Sequence, residues 1–465
     1  MARPPTARPA NSAVATGTAT IAERLASFAA ALRFDALPTE VVDSVRLRVL
    51  DTLGLALAAS RADFARAVLA VVAREQGPCT VLGTDRTASA PLAILANGAL
   101  AHGLDFDDTH PPSITHASAV VLPTVLAVGE ALHLDGRAVI TAAAAGYETI
   151  TRIGMAAPGA FHDRGWHATA VCGPFAAALA AGRCADLDAT ALTAALGIAG
   201  SCASGVMEFL EDGSEVKRLH PGWAAHGGAV AATLAGAGFT GPATIFEGRF
   251  GFYSTFVGKA PDPGPFETLG QRWETLDVAF KPYPCCHYNH AYLDGALELR
   301  AIHAVDAAAI ESIECGVPAG EVAVICEPAA SKARPRTTYE AQFSLPYSVA
   351  AAFVHGRVDI DTYAVSRLAD PPVLALAARV RYTIDQESRF PAVFPGRVRV
   401  KLNDGRVLEA RVDGARAPRR EAVVEKFRVN AARALPPHRV ADLERAVLGL
   451  DRAASMAPLL ALCRA

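Results

Sequence analysis

The chain has 465 residues, 51% of them hydrophobic, and a formal net charge of −3. That length is roughly three domains' worth of chain, and so much apolar content requires a large core, a large subunit interface or both. The charge gives no basic field for nucleic acid, and no run of about 18 uninterrupted apolar residues is present to span a membrane.

Residues 1–20 carry Arg, Pro, Ala and Thr without an acid or an apolar core, which predicts a disordered tail and not a signal peptide. From Ile21 to about residue 241 the pattern is helix after helix. Amphipathic spacing begins at Ala22-Glu23-Arg24-Leu25, and Pro38 opens a second helix through Val41, Val42, Val45 and Val49. A short strand-like piece, Cys79 to Leu82, precedes a helix over 91–102. Further helices are predicted at 117–132, 136–155, 166–183, 188–203 and 221–237. Many are rich in Ala and Gly, which lets helix axes approach closely.

The texture changes near Trp273. ETLDVAFKPYP reads as a strand entering a Pro-bounded turn, followed by a helix over 286–302. Alternating runs at 310–317, 380–384, 396–402 and 407–412 predict strands, with helices near 340–355 and 359–368. Asn403-Asp404-Gly405 between two such runs marks a hairpin. Helical patterning returns after Pro418. The expected fold is therefore mainly α. A large all-α helical domain (21–270 and 418–465) carries an inserted, smaller α+β lid domain (271–417), with a ligand cleft between them.

Polar residues cluster in four islands. DFDDTHPPSITH, Asp105 to His116, packs three carboxylates, two Thr and two His behind an apolar helix. So dense a cluster is costly to bury without partners, and helix capping does not require three acids and two imidazoles. FHDRGWH places His167 before a small-residue helix, whose dipole favours a neutral imidazole. Upstream, Tyr147, Glu148 and Arg152 share a helix, where Glu148 and Arg152 also suit an i,i+4 ion pair. GSEVKRLHPGWAAHGG sets Lys217 and His220 ahead of Pro221 and a helix start, a place to clamp a carboxylate. FKPYPCCHYNH holds Lys281 on a Pro-stiffened turn, with Cys285 and Cys286 behind it.

The adjacent cysteines of FKPYPCCHYNH lack zinc-site spacing, no base is fixed for a thiol nucleophile, and the Asp/His cluster matches no compact metal motif. No cofactor and no metal are expected. Nine scattered Cys suit a reducing compartment, so the expected location is cytoplasmic. The sequence has no G-x-G-x-x-G after a strand, no P-loop, no G-x-S-x-G and no H-E-x-x-H. What remains is His, Lys and carboxylate chemistry.

NGALAHGLDFDDTH, GYETITRIG, GWHATAVCG, KRLHPGWAAHGG, KPYPCCHYNHAYLDGALEL, YEAQFSLPYSVAAA and EKFR, in this order over about residues 20–460, resemble the MmgE/PrpD family. That family includes 2-methylcitrate dehydratase, cis-aconitate decarboxylase and iminodisuccinate epimerase. The resemblance implies an all-α domain with an α+β lid, and a homodimer with its site between the domains. It implies a substrate set of small di- or tricarboxylates. It carries active-site roles onto Asp105, Thr109, His116, His167, Lys217 and Lys281.

Two departures stand out. Cys286 replaces a histidine of the decarboxylases, and Ile325-Cys326-Glu327 stands where they have a tyrosine. Both speak against cis-aconitate. The expected function is a cofactor-independent, 2-methylcitrate dehydratase-like lyase, with an iminodisuccinate-type epimerase as the alternative and a decarboxylase disfavoured. In that scheme His116 and His167 exchange protons while Lys217 and Lys281 hold carboxylates. Asp105 and Thr109 orient His116 and the substrate, and Tyr147, Arg152 and Cys286 complete the binding surface.

Overall fold

Small residues decide how the helices meet. The structure, a computed structural model, describes residues 19–414, 416 and 418–465; residues 1–18 of the expected tail lie outside them. The fold is mainly α, as the patterning predicts. Helices Ile21–Ala31, Thr39–Ala59, Ala90–His102, Ser118–Ala131, Gly136–Met155, Ala168–Cys184, Ala189–Ala199 and Val216–Gly236 surround one continuous apolar core. Their starts follow capping rules: Thr20 and Glu23 form a capping box, and Asp135 and Asp188 each accept a backbone N–H of the next turn.

Helix Val216–Gly236 lies against both Ala90–His102 and Ala168–Cys184. A Cβ on Gly98 would stand 2.6 Å from Cα of Gly222, and one on Gly228 would stand 2.3 Å from the Pro174 carbonyl oxygen. Backbone therefore touches backbone, and only glycine fits there. These contacts fix where the three helices end. His102 closes the first, His167 precedes the second and Lys217 opens the third.

A second core, built from residues between Cys285 and Leu402 together with Ile114 and Phe209, surrounds a four-stranded sheet. Strands β1 (Cys79–Thr80) and β2 (Thr87–Ala88) form a separate small ribbon in the helical part. In the larger sheet β3 (Ile310–Val317) pairs parallel with β4 (Val380–Ile384) and antiparallel with β5 (Gly396–Leu402). The predicted Asn403-Asp404-Gly405 hairpin joins β5 to β6 (Val407–Val412), with Gly405 at φ 88°. Helix His290–His303 packs on β5 and β6. The C-terminal helix Arg420–Ala431 packs back on Thr39–Ala59, where Lys426 meets Asp51 at 2.9 Å.

Three element expectations fail. ETLDVAFKPYP holds no strand: Glu274–Asp277 is a 3-10 turn, and only a single bridge, Thr109 with Ala279, follows. The 359–368 helix is two 3-10 turns, Ile360–Tyr363 and Val365–Arg367. The helix expected to begin at Pro221 begins at Val216. Proline is accommodated inside it near the N-terminus, where it forgoes only the bond to the Lys217 carbonyl.

Candidate active site

A cavity of about 780 Å³, counting its open mouth, lies where the helix ends converge beside the second core. Its polar lining includes Asp105, Thr109, His116, His167, Lys217 and Lys281, all brought together from separate islands. The Thr109–Ala279 bridge, with N–H···O distances of 2.9 and 2.8 Å, carries the acidic stretch alongside the segment leading to Lys281.

Asp105 is buried between two lysines. Lys217 Nζ donates to Oδ1 at 2.6 Å, while Lys281 Nζ donates to Oδ2 at 3.2 Å and to the Asp105 carbonyl at 2.9 Å. Burial alone would raise this carboxyl, but Lys217 and then Lys281 hold it well below the usual carboxylate range. Burial is the largest influence on Lys281 and opposes its charge, but Asp105, then Asp107, together with smaller neighbouring contributions outweigh it, so its pKa rises. Two ammonium groups share the Asp105 carboxylate, so each keeps donor capacity facing the cavity. Asp105 itself has φ 51°, a left-handed conformation Asp tolerates, whereas Ile114, also lining the cavity, adopts φ 53° with a β-branched side chain. Strain of that kind costs about 1–3 kcal/mol and is concentrated in functional loops.

The expected partner of His116 was Asp105; the structure gives it Asp107 instead. Asp107 Oδ2 lies 2.8 Å from His102 Nδ1 and 3.4 Å from His116 Nδ1. His116 Nδ1 also lies 3.0 Å from the Asp108 carbonyl and 3.4 Å from Thr109 Oγ1. A carbonyl only accepts, so His116 carries its proton on Nδ1 and keeps a lone pair on Nε2. Burial pushes its pKa down to about 3 against the pull of Asp107, with Lys217 adding to the fall. The imidazole is therefore neutral at physiological pH. Asp107 has the opposite balance: burial disfavours its charge, and the two imidazole N–H groups hold it well below the normal carboxylate range.

His167 is the N-cap residue of Ala168–Cys184, as its motif suggests, and its Nδ1 lies 3.1 Å from Nδ1 of His220. Burial first, then Lys217, keeps its pKa well below that of free imidazole. His162 is likewise pushed to about 4 and His220 to about 4 by burial, with nearby positive charge contributing.

Several expectations need correction. Tyr147 and Arg152 are fully buried away from the cavity. Tyr147 bonds Ser118, and Arg152 donates to Glu148 Oε2 at 3.1 and 2.9 Å, to Thr268 Oγ1 at 3.0 Å and to the Pro265 and Arg272 carbonyls. The i,i+4 ion-pair alternative is the one realised. Asp108 anchors Arg48 at 2.7 Å and the Ser118 backbone at 3.1 Å, a structural role, but its neighbour Asp107 belongs to the site. Lys217 lies in the first turn of its helix and not before it.

Cys286 does line the cavity, yet burial pushes its thiol up to about 12, so it remains protonated. Beside it stand His287, lowered to about 3 by burial and Lys281, and Tyr288. Sequence reading passed over His102, His162 and His287, and gave Asp107, like Asp108, only a structural role. His102 carried one signal, as the last-turn histidine of the helix feeding the acidic stretch.

Residues 23–263 match the family described as MmgE/PrpD N-terminal domain, and residues 283–452 match the MmgE/PrpD C-terminal domain. The chain belongs to the MmgE/PrpD family. A cis-aconitate decarboxylase of Aspergillus terreus is 29% identical over 485 aligned residues, covering 95% of each chain. A cis-aconitate decarboxylase-like protein of Aspergillus oryzae is 28% identical over 95% of this chain and 97% of its own. The Homo sapiens cis-aconitate decarboxylase is 29% identical over 77% of this chain and 76% of its own.

Proposed function

We propose that this MmgE/PrpD protein is a lyase that works on a small di- or tricarboxylate without a cofactor, by moving a proton at a carbon next to a carboxylate. The observation that carries the reading is the buried Lys217–Asp105–Lys281 cluster beside the neutral imidazole of His116. Two ammonium groups sharing one carboxylate in a water-poor site receive a substrate carboxylate and stabilise the enolate-like charge that develops as the proton leaves. His116 Nε2 serves as general base, a role that typically supplies about 10²–10⁴-fold. His167, with His220 behind it, returns the proton, and Thr109 orients His116.

Whether water or carbon dioxide leaves depends on the substrate. The relatives' names favour decarboxylation. The lid residues Cys286 and Ile325-Cys326-Glu327 argued against it, but His287 and Tyr288 supply an imidazole and a phenol to the same cavity and weaken that objection. A second reading, epimerisation of an iminodisuccinate-like dicarboxylate, is favoured by His287. It brings an imidazole from the second core, separate from His116 and His167, as donors on two faces require.

A homodimer is supported by an apolar stripe of Val216, Leu219, Trp223 and Leu234 on one helix, Trp223 being 47% exposed. Among the described residues no helix is long and apolar enough to cross a membrane. All nine cysteines are free, which supports a reducing, cytoplasmic setting.

The test is incubation with cis-aconitate, 2-methylcitrate, citrate and iminodisuccinate in D₂O, followed by NMR. Deuterium entering one carbon, with or without net turnover, identifies the substrate class. No exchange and no turnover with any of the four would sink the reading.

A further inference from the structure

Three imidazoles meet at the cavity from three elements: the end of Ala90–His102, the acidic loop, and the cap of Ala168–Cys184. One ring nitrogen from each of His102, His116 and His167 lies within 4.8 Å of one from each of the others, and all three residues are buried. A bound cation sits about 2.0–2.1 Å from each imidazole nitrogen. The centre of an equilateral triangle with that side is about 2.8 Å from its corners, so each ring has to move inward by about 0.7 Å or less.

The surrounding contacts are those a cation site requires. Asp107 and the Asp108 carbonyl hold the Nδ1 protons of His102 and His116, so Nε2 is the free nitrogen of both rings. Among the described residues, Nε2 of His102 is buried with no hydrogen-bond partner. A ring N–H given to a carboxylate or carbonyl fixes the ligand's orientation and raises its basicity. His167 has one nitrogen on His220, leaving the other. Formal charges also permit a dication: Asp105, Asp107 and Asp108 balance Arg48, Lys217 and Lys281. Imidazoles without thiolate suit zinc, cobalt or nickel better than magnesium or calcium.

We propose that His102, His116 and His167 form a binding site for a divalent transition cation of the zinc–cobalt–nickel class, and that its occupancy inhibits the enzyme by taking the lone pairs of His116 and His167. The site stands independently of the proposed reaction; the inhibition rests on it.

The experiment is titration of Co²⁺ into chelator-treated, full-length protein, followed by visible absorption. Ligand-field bands saturating at one cation per chain are expected. Asp107→Asn should weaken binding by about 10–100-fold, the usual effect of losing a carboxylate behind a ligand. His102→Gln should abolish the bands. No bands in the wild-type protein, or bands unchanged in both variants, overturn the site. If His102→Gln does not fold, wild-type proton NMR decides. Co²⁺ should shift the Nδ1 protons held by Asp107 and Asp108 far outside the diamagnetic range, and unshifted resonances overturn the site. In the activity arm, loss of turnover with Zn²⁺ that a chelator restores supports inhibition. Full turnover with Co²⁺ bound overturns the inhibition alone.

Discussion

The wall from Asp105 to His116 packs charge against charge, whereas Met207, Phe209, Phe343, Phe390 and Phe394 line other parts of the same cavity with apolar surface. On the polar wall nearly every group is another's partner: one carboxylate serves two lysines, and one serves two imidazoles. Removing a member strands the others in a low dielectric. The apolar side has no such dependence. It sets shape and excludes water, so its residues are individually replaceable. Chemistry and selectivity are thus written in different alphabets on one pocket.

The sharpest way to break this contrast is Asp105→Ala, which leaves two buried ammonium groups without their counter-charge. Breaking a buried pair costs about 3–5 kcal/mol, so we expect a large fall in unfolding free energy by denaturant titration together with loss of turnover. Next, His116→Gln should lower kcat by about 10²–10⁴-fold while the fold, followed by circular dichroism, is kept. Retained turnover would remove His116 from its role as base.

A pH series tests the neutral imidazoles. Folded-state pKa values of about 3 for His116 and His287, and about 4 for His162 and His220, lie below the ordinary histidine value of 6.5. The unfolded chain therefore takes up these protons first as pH falls. Their contribution to stability is present above pH 6.5 and is lost progressively toward pH 4, by up to about 1.4 kcal/mol per pH unit for each histidine. Tm should fall across that window, and His162→Gln should make the fall shallower. A flat profile would mean that these rings take up protons as readily in the folded protein as in the unfolded chain.

On the apolar side, Phe390→Leu should move KM more than kcat, because a pocket hydrophobe contributes about 1–3 kcal/mol to discrimination and nothing to proton transfer. The smallest effect is expected for Cys286→Ser. Its thiol stays protonated, so kcat should change by about tenfold or less. A larger loss would revive the cysteine as a nucleophile.

Much of this was readable in the residues. A polar island behind an apolar helix marks a helix end at a cleft, the four β runs follow from alternation, and their hairpin follows from the Asn403-Asp404-Gly405 turn. The failures have physical reasons. His102 looked like the tail of a buried helix because periodicity cannot show that the next turn delivers a carboxylate to its ring. Asp105 and Asp107 are chemically alike, and only the left-handed turn at Asp105 sends one to the lysines and the other to the histidines. Pro221 obeys the helix-start preference in general but not here, since packing of Gly222 on Leu95 and Ala99 extends the helix upstream. Tyr147 and Arg152 suggested binding because their partners, Ser118 and the 265–272 segment, come from elsewhere in the chain.

The Thr109–Ala279 bridge has one more consequence. Lys281 stands two residues beyond it and is bonded twice to Asp105, so it is tied to the helical core before the chain reaches the first buried cysteine of the second core. The pair of ammonium groups is assembled by folding itself. A carboxylate arriving in the cavity meets a charge arrangement that needs no reorganisation, and variation among the residues after Pro282 can retune what enters without disturbing it.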